Sequence, residues 1–256
     1  MRTLARVLAV VIAACASVPE AVAQDSIAVR HLLALDVGRL APFRRTYDVI
    51  VHRRDSATTI GEREISLERA DQGGTTGWLL VERRSGAVAA AESLFVAPDL
   101  RPLRWSSALG TARLAAAFLG DTIMGATTIG TAKQNLLVAG RPDLLVSGAM
   151  VELVLGLLPL DEEWRDSAAV LSMGVASRDI VPVELVAVGM EDLLVDSAAM
   201  RPTVVVALRS ELRSALYWVD MESRAVLRML QVLPAHVGIL LEYRLRSPEI
   251  ATLQRP

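Results

Sequence analysis

Few side chains in this chain stand at a spacing that supports chemistry. The three histidines, His31, His52 and His236, fall in three different segments. There is no HxxxH, CxxC or carboxylate–histidine arrangement, so nothing points to zinc or iron. The GxSxG nucleophile elbow, the P-loop and the dinucleotide GxGxxG are also missing. A hydrolase triad would need distant residues that no motif marks, which makes hydrolysis the remotest function class. His52 falls on the polar side of an alternating stretch and reads as a solvated surface histidine. Asp161-Glu162-Glu163 is the densest acidic cluster. Paired carboxylates serve acid–base work or bind calcium, while the plainer reading is a solvated loop after a helix. Glu191, Asp192 and Asp196 read the same way. Trp78, Trp105, Trp164 and Trp218 stand at strand ends, where indoles pack as core corners and ligand stacking is the alternative. No catalytic, metal or cofactor set emerges.

Cys15, the only cysteine, lies in a segment with its own logic. Arg2 and Arg6 form a basic start, Val7 to Ala14 is apolar, Pro19 breaks any helix, and Ala21-Val22-Ala23 places small residues before Gln24. This is the layout of a secretory signal peptide cleaved after Ala23, so the mature domain is expected to be periplasmic or secreted. Ile12-Ala13-Ala14-Cys15 also fits a lipobox, and the alternative is a lipoprotein anchored through Cys15. Removing Arg2, Arg6 and Glu20 takes the formal charge from −2 to −3. The basic stripe that nucleic acid requires and the polybasic patch that anionic lipid requires are both missing. A mature chain without cysteine relies on its core alone. Its longest apolar stretch, Met150 to Leu160, is broken by Glu152, Gly156 and Pro159, and no mature segment is long enough to span a bilayer as a helix.

Most of the remaining sequence alternates with period two. Tyr47, Val49 and Val51 share one face of a strand, and Ile65 and Leu67 share one face of the next, opposite Glu62, Glu64, Ser66 and Glu68. Turn signals at Asp71-Gln72-Gly73-Gly74, Ser85-Gly86, Gly120-Asp121 and Asp220 to Ser223 punctuate about ten short strands. Pro182 and Pro202 are expected just before strands, where a missing N–H does least harm. Met150, Leu153, Val154 and Leu157 follow helical spacing, which predicts one short amphipathic helix ended by Pro159. We find no repeat at a fixed period. The pattern predicts a mainly β domain: an antiparallel sheet curved into a half-barrel or barrel with one short central helix. The expected organisation is a signal peptide (1–23), a lead-in (24–43), one domain (44–247) and a tail (248–256).

The order of parts in the second half carries a resemblance. A short helix runs into Leu157-Leu158-Pro159-Leu160, then Asp161-Glu162-Glu163 and Trp164. Strands follow at Val183 to Val188, Tyr217-Trp218-Val219-Asp220, Ala225-Val226-Leu227-Arg228-Met229 and Leu241-Glu242-Tyr243. With Tyr47-Asp48-Val49 and Leu100-Arg101-Pro102-Leu103, this resembles a family of exported bacterial domains of unknown function that look like the periplasmic lipoprotein-carrier half-barrel. The resemblance implies an open antiparallel half-barrel with a helix against its mouth. It assigns no catalytic residue.

A curved sheet of this kind would present Tyr47, Val49, Val51, Ile65, Leu67, Phe118, Leu227, Met229 and Tyr243 on its inward face. That concave apolar surface is the candidate site for an acyl chain or a lipidated protein or peptide, in a domain without enzymatic activity. A filled core has the same signature, and then the protein is a structural or assembly component of the cell envelope.

Overall fold

The computed structural model describes residues 35–54, 56–87, 89–140, 144–173, 178–196, 199–211, 214–232 and 239–246. The expected signal peptide with Cys15, the expected lead-in up to residue 34 with His31, His236 and residues 247–256 lie outside the described residues. A 3-10 turn, Val37–Arg39, leads into β1 (Phe43–Arg53). A meander follows: β2 (Ser56–Gln72), β3 (Thr75–Gly86), β4 (Ala90–Val96), β5 (Pro102–Leu109), β6 (Ala112–Leu119), β7 (Thr122–Ile129) and β8 (Ala132–Ala139). The two-residue β9 (Leu144–Leu145) and the helix α1 (Gly148–Leu157) come next. A second meander closes the chain: β10 (Arg165–Met173), β11 (Arg178–Asp196), β12 (Ala199–Arg209), β13 (Ser214–Asp220), β14 (Val226–Val232) and β15 (Ile239–Leu245).

These strands form one 15-stranded sheet in the order β8 to β1, then β15 down to β9. Every neighbour is consecutive in sequence except β1 and β15, which pair antiparallel from Tyr47↔Leu245 to Arg53↔Ile239. First-to-last pairing is what joins an up-and-down barrel. Here the ladder instead stops between β8 and β9, and the sheet is not closed. Only four residues separate Ala139 from Leu144, so the two edges lie within about 18 Å at that end, the reach of extended chain. The mainly β, barrel-like reading thus holds, with more strands than alternation predicted.

The surplus strands have physical explanations. β8 exposes Ala132, Lys133, Gln134 and Asn135 and buries only Leu136, so its polar edge character hides the alternation. β5 to β8 are joined by tight turns in which Gly110, Gly120 and Gly130 take positive φ and the following Thr111, Asp121 and Thr131 do not. Glycine at the first central position is the signature of the type II′ hairpin turn. These turns recur every ten residues, a local repeat that corrects the reading of none. Pro182 and Pro202 lie inside β11 and β12, opposite Ala169 and Asp192. Pro182 precedes the first β12 partner, at Glu184, and Pro202 lies beyond the last β13 partner, at Thr203. Each therefore sits where a neighbouring strand has ended and no ladder bond needs its N–H.

The helix is short for clear reasons. Ser147 accepts the Met150 amide at 3.1 Å as N-cap, and Leu158, ahead of Pro159, is extended at φ −81°, ψ 147°. It is not amphipathic, which corrects the expected single stripe. Ala149, Met150, Val151, Glu152, Leu153, Val154, Leu155 and Leu157 are all buried. A helix apolar on every side belongs in a core, and α1 lies against the inward face of the sheet, touching β3 and β14. One hydrophobic cluster runs from β1 through the helix to β15, and a smaller one on the outer face joins Val205, Ala207, Leu216, Trp218 and Leu230.

Candidate functional site

Period-two alternation places Arg63 on the same face as Ile65 and Leu67, and Glu82 on the same face as Trp78 and Leu80. Both charged residues are consequently carried into the core, Arg63 to 1% exposure. Arg63 Nη2 donates to Glu82 Oε2 at 2.8 Å, and Nη1 donates to Glu152 Oε1 of α1. Arg84 Nε meets the other oxygen of Glu82 at 2.5 Å. The Arg63 guanidinium also lies 5.6 Å from the Tyr47 ring centre and 5.1 Å from that of Tyr243, within cation–π range. The Tyr47 hydroxyl donates to the Val226 carbonyl at 3.0 Å. The helix is thus tied to the sheet by a buried ionic layer as well as by apolar contact.

The charges in this layer shift one another. Burial disfavours ionised Glu82, but the charges of Arg63 and Arg84 and their hydrogen bonds outweigh it and bring its pKa down to about 2. Glu92 stands directly opposite Glu82 on β4. Burial, then the charge of Glu82, push Glu92 up to about 7. Burial also pushes Glu152 up, with Arg63 pulling against it, and raises the Tyr47 phenol. These groups are locked to protein partners, and we read the layer as structural: it fixes the helix inside the sheet.

A second charged centre occupies the outer face. Glu242, fully buried, is hydrogen-bonded to His52 Nε2 at 2.7 Å and accepts from Arg244 Nη2 at 3.0 Å, and Arg228 Nε forms an ion pair with it at 2.8 Å. His52 is therefore half-buried and paired, not solvated as alternation suggested. No serine is hydrogen-bonded to it among the described residues. Asp161-Glu162-Glu163 forms an exposed turn in which Asp161 Oδ1 accepts the Glu163 amide. Glu191 accepts the Trp218 indole N–H. Among the described residues, no group of three His, Cys, Asp or Glu side chains is placed to hold a metal.

The structure gathers the nine candidate residues unevenly. Tyr47, Val49, Ile65, Leu67, Leu227, Met229 and Tyr243 join the main buried cluster, Phe118 packs against it half-buried, and Val51 is half-buried beyond it. The helix and its ionic tie occupy the space that these residues face. Larger open grooves of about 450 and 710 Å³ lie along the sheet between β1 and β7, and the space that borders the helix is at the mouth of the half-barrel. There a cleft of about 270 Å³ runs between the lead-in, α1 and the β13–β14 turn. Leu40, Phe43, Leu67, Leu153 and Leu157 form its apolar wall, and Arg39, Arg45, Glu152, Glu222 and Arg224 its polar one. Leu67 alone among the nine residues lines it.

Sequence reasoning missed Arg63, Glu82, Glu152, Arg45 and Arg224. Parity was the available signal for the first two. Glu152 had one too: it is the only charge inside an otherwise apolar helix.

A solved crystal structure of a beta-barrel-like protein of the domain of unknown function DUF1849 from Brucella abortus resembles this chain. The TM-score is 0.53 at 14% identity, and the match covers 81% of this chain and 97% of that one. At that identity the likeness establishes the fold alone: this is a beta-barrel-like domain. No family model matches the chain, and none of the curated proteins compared with it matches. Among the described residues, no helix is long and apolar enough to cross a membrane.

Proposed function

We propose that the protein is a non-enzymatic domain of the bacterial envelope that binds an amphiphile bearing an acyl chain, such as a lipid or a lipidated protein. The observation that carries this reading is the mouth cleft, where an apolar wall of leucines and Phe43 meets a charged one beside a buried helix. Ligand sites are concave, mostly apolar and oriented by a few polar groups. Relative to the sequence reading, the site moves from the whole concave face to its mouth, because the helix fills the interior. The solved neighbour supports a barrel-like domain only, so kinship with the lipoprotein-carrier half-barrel is itself part of this proposal. Native mass spectrometry of the purified mature domain should show a lipid adduct that organic extraction removes. Clean apo protein across several preparations overturns the proposal.

A second reading is an envelope assembly or scaffold domain, and the helix buried on all sides supports it. Ligand-free protein in the same measurement is its expected outcome. Export follows from the signal segment in either reading. N-terminal sequencing of the mature chain should begin at Gln24; a diacylated Cys15 would establish the anchored form instead.

A further inference from the structure

The mouth cleft holds an imbalance of charge. Of the charged groups on its walls, Arg39 faces Asp36 at 3.6 Å, Glu222 is bound by Arg201 at 2.8 Å, and Glu152 by Arg63. Arg45 and Arg224 have no carboxylate partner among the described residues. Arg45 stacks 4.2 Å from the Phe43 ring centre, which orients its guanidinium without satisfying its donors. The Nε and Nη1 atoms of Arg224 are buried with no hydrogen-bond partner among the described residues. Buried guanidinium donors without an acceptor are costly, and native structures rarely leave them so.

The backbone at Arg224 sharpens the point. Arg224 takes φ +58° in the turn after β13, a left-handed conformation that suits glycine or asparagine. Its turn is built tightly: Asp220 Oδ2 accepts the Ser223 amide at 2.9 Å, and the Asp220 carbonyl accepts the Arg224 amide at 3.0 Å. The Arg224 carbonyl lies so close to Gly156 that a Cβ there would approach it to 2.6 Å. The fold thus holds an arginine where its backbone is strained, and strain of this kind clusters at functional sites.

We propose that Arg224 and Arg45 form an oxyanion subsite that binds the phosphate or carboxylate head of an amphiphile whose chain begins on Leu40, Phe43 and Leu153. Guanidinium forks match both oxyanions in bidentate geometry. A cleft of about 270 Å³ holds a headgroup with its first methylenes, and the rest of the chain leaves along the rim. This assignment rests on the amphiphile reading above.

The test is a calorimetric titration of the delipidated full mature domain with four probes below their aggregation limits: dodecyl phosphate, dodecanoate, dodecanol and inorganic phosphate. One or both anionic amphiphiles should bind at least ten-fold more tightly than dodecanol and than inorganic phosphate, and the stronger of the two identifies the head. Arg224→Asn keeps a residue suited to the left-handed backbone, and it should weaken that binding by ten-fold or more. Arg45→Gln on β1 should do the same, so the result does not depend on one turn. Dodecanol binding as tightly as the anionic probes, or both variants matching wild type, overturns the subsite while leaving the amphiphile reading standing. Equal binding of inorganic phosphate overturns the amphiphilic ligand and leaves a simple phosphate site. Failure of every probe overturns both proposals.

Discussion

Replacing Arg63 by methionine tests whether the buried ionic layer locks the helix into the sheet. The guanidinium is 1% exposed, so water cannot take its place. After the change Glu82 keeps Arg84 at 2.5 Å, but Glu152 loses the arginine that binds it inside the core. Removing one partner of a buried pair costs about 3–5 kcal/mol, because the remaining charge is stranded. Loss of two aromatic contacts adds to this and the better burial of methionine offsets it. A net cost of about 3–5 kcal/mol is a large part of the roughly 5–15 kcal/mol that stabilises ordinary domains. The sign with pH also follows. Without Arg63, burial holds the Glu152 pKa above its unfolded value, so the folded state keeps a proton that the unfolded state releases. Stability then falls as pH rises above the ordinary carboxylate range. The variant should therefore lose more at pH 8 than at pH 5. Adding Glu152→Leu removes the stranded charge and should recover about 2 kcal/mol or more. Urea unfolding of wild type, both single variants and the double variant closes the cycle. A cost below about 1 kcal/mol for Arg63→Met, or strict additivity in the double variant, would refute the lock.

Three further outcomes follow from the same packing. Glu92, with its pKa at about 7 in the fold and an ordinary value of 4.5, is protonated in the folded state across that window. Wild-type stability should thus decline between pH 4.5 and 7, where the unfolded chain releases the proton that folded Glu92 keeps, by about 1–3 kcal/mol once its partial exposure is discounted, and Glu92→Gln should flatten that slope. An unchanged slope in the variant sinks the assignment. Leu67→Asp places a charge at a position 1% exposed and should cost several kcal/mol, whereas exposed Glu68→Lys should stay within about 0.5 kcal/mol; equal thermal midpoints would contradict the register. The amides of α1 should exchange as slowly as those of β1 and β15, and Leu153→Ala should cost about 2–5 kcal/mol globally. Fast exchange confined to the helix would make it a movable lid instead of a plug.

Local chemistry made much of this molecule legible. Alternation at Tyr47, Val49 and Val51 and at Ile65 and Leu67 set strand faces correctly, because one buried face imposes a period of two whatever the partner strand. Pro159 marked the end of the helix through a missing donor, while the Ser147 cap at its start emerged only with the structure. Of the turn glycines at 110, 120 and 130, equally local, only Gly120 was read as a turn, and their ten-residue spacing was overlooked. Other features were closed to local reading. The pairing of β1 with β15 joins Tyr47 to Leu245, and no periodicity within either strand selects that partner. Likewise Arg63 reaches Glu82 across 19 positions and Glu152 across 89. Parity and helix position mark each of them singly as inward-facing, but only the three-dimensional fold brings them together as partners. The mouth cleft is the extreme case: the lead-in, the helix and the β13–β14 turn are far apart in sequence, and packing alone leaves Arg45 and Arg224 facing an open space between them.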